Sequence, residues 1–285
     1  MIETAGNRHS GSNNTIRKIK ADLHNHFTTK SRVLDPHQVA DRVLYKLGAG
    51  GLCALVNYRD RRYEAFAEQA QDLPLVYNFG NAIYFQGRDV LIIKGQEFPV
   101  AEGGDLLAIG LKENIEIPEG KSLEYSLKEV LDKGGINIIT TPYFKSNVGD
   151  TLTGKQSLLD FVDAIEVHDG EVFLGKANKQ AKRLYEIVKN DYSYIGQIAS
   201  SDGHTFREVG SSYTEMEMPL YQILNSSLSV KEALRKAVRG SQDDLMLHKM
   251  SSPLGFLLHA GIISTMIIAS KAGIQLSKGN PKALR

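Results

Sequence analysis

Apolar positions along the chain follow two periods. Short apolar runs bounded by glycine or polar turns are strand signals, and apolar residues every third or fourth position are helix signals. Residues 16–22 predict a first strand ending just before His24. Asp35-Pro36 then opens a helix with Val39, Val43, Leu44 and Leu47 on one face, stopped by Gly48 and the Gly50-Gly51 pair. Further strands are predicted at 52–56, 82–85, 90–98, 105–111, 136–141, 164–168, 192–201 and 213–218. Helices are predicted at 62–70, 122–133, 155–162 and 175–190, and from residues 221 and 230. In the 175–190 helix, Ala177, Ala181, Leu184 and Ile187 are expected to face inwards.

Strand-then-helix units repeated over this length predict an α/β fold with parallel strands and helical crossovers. A barrel, distorted from the TIM kind, also explains where the unusual polar residues fall. They sit at the C-terminal ends of strands, where such barrels place their chemistry. The organisation read from the chain is a leader at 1–19, one barrel domain at 20–240 and a C-terminal helical extension at 241–285. Within that extension, residues 253–269 carry no formal charge, close to the lower limit for a membrane span. Its glycines, Ser264, Thr265 and His259 favour a packed helix or a contact between copies of the chain over a membrane anchor.

Composition narrows the function classes. Of 285 residues, 42% are hydrophobic and 24% charged, as in ordinary globular proteins. The formal charge of +1 argues against a dedicated nucleic-acid or membrane surface, yet leaves room for a small anionic substrate. Cys53 is the single cysteine, so no intrachain disulfide forms, which suits a reducing cytoplasm.

Three constellations carry chemistry. In Asp22-Leu23-His24-Asn25-His26, two histidines at i and i+2 beyond a strand share one side of the backbone, so both imidazoles can approach one ion. Imidazole suits Zn, Fe or Mn. Gly95-Gln96-Glu97-Phe98 closes an apolar run with a carboxylate whose two oxygens can serve two ions. Ser201-Asp202-Gly203-His204 places an aspartate and a histidine after a late strand. Each motif alone also fits a solvated turn or strand end. Their joint order does not.

HxH, then GxE, then SDxH, with a helix opening at Asp35-Pro36 and a glycine at Gly210, resembles the PHP (polymerase and histidinol phosphatase) family over roughly residues 20–240. The resemblance implies a distorted (β/α)7-type barrel holding up to three divalent metal ions that hydrolyses phosphate esters with activated water. It implies His24, His26, Glu97 and Asp202 as one metal set, His204 as a ligand of a neighbouring ion, and His168 as a further match.

The chain departs from that pattern. Tyr58 stands where a ligating histidine is expected, Asn57 where an aspartate is, and Thr141 in place of another histidine; Ser31 and Arg32 are poor ligands. One metal site is thus expected intact, for Mn, Zn or Fe, and the others eroded. The expected activity is hydrolysis of a small or nucleotide-like phosphate ester. In it Asp202 or His204 assists proton transfer, and Arg59 holds phosphate in place of a lost ion. Two alternatives are a PHP-like barrel that keeps one ion without turnover, and an amidohydrolase-type C–N hydrolase.

Overall fold

A computed structural model describes residues 17–27, 34–144, 147–170, 175–218, 229–241 and 245–246. The strands are β1 (Arg17–Asp22), β2 (Leu52–Asn57), β3 (Val76–Asn78), β4 (Ala82–Phe85), β5 (Val90–Pro99), β6 (Asp105–Ile109), β7 (Ile136–Ile139), β8 (Ala164–Asp169), β9 (Gly196–Ser200), β10 (Tyr213–Met218) and β11 (Leu245–Met246). The α-helices are α1 (Pro36–Leu47), α2 (Arg62–Ala70), α3 (Leu123–Asp132), α4 (Val148–Gly154), α5 (Lys176–Val188) and α6 (Val230–Gly240).

The strands form one sheet in the order β11-β10-β1-β2-β5-β6-β7-β8-β9, with β4 paired to β5 and β3 to β4. It curls into a nearly closed barrel. Thr214 on β10 supplies part of the seam: its Oγ1 accepts from Ala199 N at 2.8 Å and donates to Ala199 O at 3.0 Å. Beyond the strand ends, Asn25 and Gly203 form a parallel bridge that ties the segment after β1 to the segment after β9.

Two buried faces explain the apolar strand runs. Along β2, Leu52, Ala54 and Val56 point into the barrel, while Cys53 and Leu55 join the outer cluster with Val39, Val43 and Phe66 of α1 and α2. On the other flank, β6, β7 and β8 pack outwards on α3, α4 and α5. Helix α6 lays Val230, Ala233, Leu234 and Ala237 into the interior cluster. Gly196 opens β9 there, because a Cβ on it would stand 1.8 Å from Val238 O.

Caps fix several helix starts. Asp35 accepts from His37 N at 2.8 Å, Ser122 accepts from Tyr125 N, and Ser229 with Glu232 makes a reciprocal capping box.

The sheet is mixed rather than all parallel. β1–β2, β2–β5, β7–β8 and β8–β9 are parallel, but β4–β5, β5–β6, β6–β7 and β1–β10 are antiparallel. The connections between β4 and β5 and between β5 and β6 are too short for a helical crossover, so these neighbours must reverse direction. Ile187 is 60% exposed rather than inward. At about 100° per residue it lies off the stripe made by Ala177, Ala181, Leu184 and Val188, and Tyr185 is buried instead. The 155–162 segment is a 3-10 helix over Gln156–Phe161. β11 pairs with β10, so the sheet continues past residue 240. Among the described residues no helix is long and apolar enough to cross a membrane, and the 253–269 stretch lies outside them.

Candidate metal centre

The C-terminal ends of β1, β5 and β9 meet at one point. His24 and His26 follow β1 on the same side of the chain, and their Nε2 atoms lie 3.2 Å apart. Glu97 on β5 spans both rings, with Oε1 3.4 Å from His24 Nε2 and Oε2 3.1 Å from His26 Nε2. Asp202, beyond β9, brings Oδ1 to 3.5 Å from His24 Nε2 and 3.4 Å from His26 Nε2. Both histidines are buried. His24, His26 and Asp202 form a cluster of ligand atoms within 4.8 Å of one another, and Glu97 meets the two rings with separate oxygens.

These spacings can be compared with what a divalent ion requires. Bonds of about 2.1 Å in tetrahedral geometry put neighbouring ligand atoms about 3.4 Å apart. The observed separations bracket that edge, and two imidazoles with two carboxylates form a donor set of the right chemistry. The residues fit a metal ion.

Electrostatics point the same way. Burial by itself would lower the pKa of His24, but the carboxylates of Asp202, Glu97 and Glu166 outweigh it and raise the value well above the ordinary one. His26 is likewise raised by Asp202 and Glu97 against the cost of burial. Burial would raise Glu97, yet the two histidines draw it down to about 2. The site concentrates negative charge that only positive partners offset.

The loops carrying these groups are fixed from below. Asp22, at the end of β1, accepts from Ser201 N at 3.0 Å, Ser201 Oγ at 2.7 Å and Gly210 N at 2.7 Å. Gly210 adopts φ +66°, and a Cβ there would meet Leu47 at 2.9 Å. Gly203 O accepts from His26 N at 2.8 Å and Phe27 N at 3.1 Å. Arg62 donates to the main-chain oxygen of His26 and pairs with Asp60. Its guanidinium is therefore part of the scaffold.

Other expected residues are distributed around this cluster. The His204 ring lies 4.8 Å from that of His26, centroid to centroid, and its Nδ1 meets Asp202 O at 2.9 Å. His168 goes elsewhere. A register shift between Glu166 and His168 turns its ring outwards to Asn178 of α5, at 3.4 Å from Nδ1. Arg59 is 62% exposed, bonded through Nε to Glu119 at 3.2 Å and stacked over Tyr58. The Tyr58 ring stands edge-on to His26, 6.1 Å between centroids.

Two acidic residues were not anticipated. Glu166 on β8 is buried, with Oε1 3.4 Å from His24 Nδ1. Strand alternation could have flagged it, since Glu166 shares the inward face of Ala164. Asp105 opens β6, and burial, then Glu97, push its carboxyl up to about 6. Only the antiparallel β5–β6 turn brings it towards the site.

No protein-family model matches the sequence, and no curated protein matches it. Solved structures do match in shape. PsfC from Pseudomonas syringae superposes with a TM-score of 0.60 at 19% identity, covering 88% of this chain and 99% of that one. The lesion-specific endonuclease Q from Pyrococcus furiosus gives 0.51 at 14% identity, covering 81% of this chain and 58% of that one. A two-domain Bacteroides vulgatus protein containing a predicted PHP-like metal-dependent phosphoesterase gives 0.49 at 16% identity, with coverages of 79% and 64%. The chain thus spans nearly all of PsfC but only about three fifths of the endonuclease. With the nearly closed mixed barrel described above, these likenesses show the fold of this chain to be a distorted α/β barrel of the PHP type.

Proposed function

We propose that this protein is a metal-dependent phosphoesterase acting on a small or nucleotide-like phosphate ester. The observation that carries the reading is the pairing of His24 and His26, each with its Nε2 3.1–3.5 Å from oxygens of both Glu97 and Asp202, at the C-terminal rim of a PHP-type barrel. These four residues would hold a divalent ion, Mn, Zn or Fe. Such an ion, when bound, supplies the Lewis acidity that polarises a phosphoryl oxygen and makes water acidic enough to attack near neutral pH.

The chain's own groups supply the rest. Asp202 and His204 sit next to one another at the rim, placed to hold or pass a proton. Arg59, whose guanidinium Glu119 already holds at the surface beside Tyr58, is the group assigned to the phosphate oxygens, exchanging one anionic partner for another. A barrel that keeps one ion without turnover is the second reading, favoured by Tyr58 and Thr141 at two strand ends where imidazoles would serve an ion better. A reducing cytoplasmic setting fits the single buried thiol of Cys53.

The test is the metal content of the purified protein, followed by assay on an aryl phosphate with added Mn²⁺. One ion per chain and hydrolysis that falls by three orders of magnitude or more in His24→Ala is the expected outcome. A tightly held ion with no turnover on a phosphate panel would favour the second reading. Turnover of amides alone would favour an amidohydrolase.

A further inference from the structure

Glu166 is a buried carboxylate that the proposed chemistry does not use. It projects from β8 into the barrel and meets His24 from behind: Oε1 lies 3.4 Å from Nδ1, while the Nε2 of the same ring faces Glu97, Asp202 and His26. Ser200, fully buried on β9, donates its hydroxyl to the same Oε1. The other oxygen, Oε2, is buried and has no hydrogen-bond partner among the described residues.

A neutral imidazole carries one proton on one of two nitrogens, and only the other nitrogen has a lone pair for a metal. A carboxylate against Nδ1 holds the proton there, which leaves the Nε2 lone pair directed at the cluster. Ser200 fixes the carboxylate, so the ring is held in place as well as in tautomer. Burial of a full negative charge with one oxygen unpartnered is costly unless a positive charge lies close by. The imidazole is the group through which that charge is felt.

We infer that Glu166 is a positioning residue. It fixes the tautomer and orientation of His24 and strengthens that ring as a metal ligand. The inference rests on the metal reading above. It also explains why a charged residue interrupts the apolar run of β8: the chain retains Glu166 where the barrel interior otherwise takes Ala164, Ile138 and Ile198.

The experiment uses the whole protein. Zn²⁺ and Mn²⁺ affinities are measured by calorimetry for wild type, Glu166→Leu and Glu166→Gln. Nitrogen NMR of labelled histidine then reads the His24 tautomer in the Zn²⁺-loaded wild type. Expected are a Nδ1 proton on His24, a 10–100-fold weaker affinity in Glu166→Leu, and partial rescue in Glu166→Gln, which keeps an acceptor but not the charge. Wild-type affinity in a folded Glu166→Leu protein overturns the inference, as does a His24 proton found on Nε2. If Glu166→Leu does not fold, the wild-type tautomer decides. A wild type that binds neither ion overturns the metal reading itself, a result distinct from unchanged affinity in the variants.

Discussion

At the β1–β9 side of the barrel rim, buried polar groups hold loops that present ligands; at the β2 side, the network around Asn57, Glu64 and Lys94 holds the start of α2 and the 112–115 loop, which present none. Asp22 gathers the Ser201 and Gly210 donors, and the loop so anchored carries Asp202 to His24 and His26. Across the rim, Asn57 accepts from Tyr63 N at 2.9 Å and donates to Glu64 at 2.8 Å. Glu64 pairs with the buried Lys94, which also donates to the main-chain oxygens of Ile115 and Lys112. That network braces main chain and supplies no ligand. The residue it leaves at the rim is Tyr58, an aromatic ring edge-on to His26.

The backbone does not share this asymmetry. Phe27, Arg59, Thr141 and Asp202, all just beyond strands β1, β2, β7 and β9, have φ of 55°, 54°, 33° and 47°. Left-handed backbone at non-glycine residues is costly and clusters where geometry serves function. The chain therefore keeps sharp turns at four strand ends but places metal-type ligands beyond only two of them. Rim geometry and rim chemistry are separable.

The largest effect that would break this comparison is in the Asn57–Glu64–Lys94 network. Lys94→Met leaves the Glu64 carboxylate without its cation and should cost about 3–5 kcal/mol in denaturant unfolding, as breaking a buried pair does. A loss below about 1 kcal/mol would show the network to be dispensable. On the opposite side, Asp22→Ala strands the Ser201 and Gly210 donors. It should cost about 2–3 kcal/mol and, unlike Lys94→Met, also weaken metal binding through the misplaced Asp202 loop. Equal metal affinity in the two variants would erase the distinction.

Asp105 gives a smaller, pH-dependent effect in the metal-free protein. Its folded pKa, about 6, lies above the ordinary carboxylate value, so the folded state holds that proton more tightly than the unfolded chain. Its contribution to stability is therefore present below the unfolded pKa and lost as pH rises through about 6. Asp105→Asn should then stabilise the chelated protein at pH 7.5 by on the order of 1 kcal/mol, allowing for solvent screening, and give no gain near pH 3.5. A gain independent of pH would mean that the carboxylate is not the cause. The smallest change in stability, within about 0.5 kcal/mol, is expected of Tyr58→His at the half-exposed rim. There the readout is stoichiometry: a second, weaker Mn²⁺ binding event should appear by calorimetry, and a single event would place the deficiency at Thr141 as well.

Much of the fold could be read from the order of apolar runs, because both faces of β2 and β5 are buried and leave continuous hydrophobic stretches. The motif residues His24, His26, Glu97 and Asp202 announced themselves as polar groups at strand ends. Glu166 did not, because one acid in an apolar run gives no hint of which ring it meets. His168 illustrates the converse: it lies two residues from Glu166, and one bulge turns it to the opposite face. Nor could the sequence reveal the role of Arg62, since its partner is a main-chain oxygen distant in sequence.

The sequence by itself determined most of the strand and helix segments, the helix start at Asp35-Pro36 and the ligand-bearing strand ends, because these depend on local periodicity, capping and turn chemistry. The tertiary structure alone decided which strands run antiparallel, which way His168 turns, and that Asp105 and Glu166 approach the histidines. Those outcomes depend on register and on contacts between residues far apart in the chain, where a shift of one position reverses every side chain.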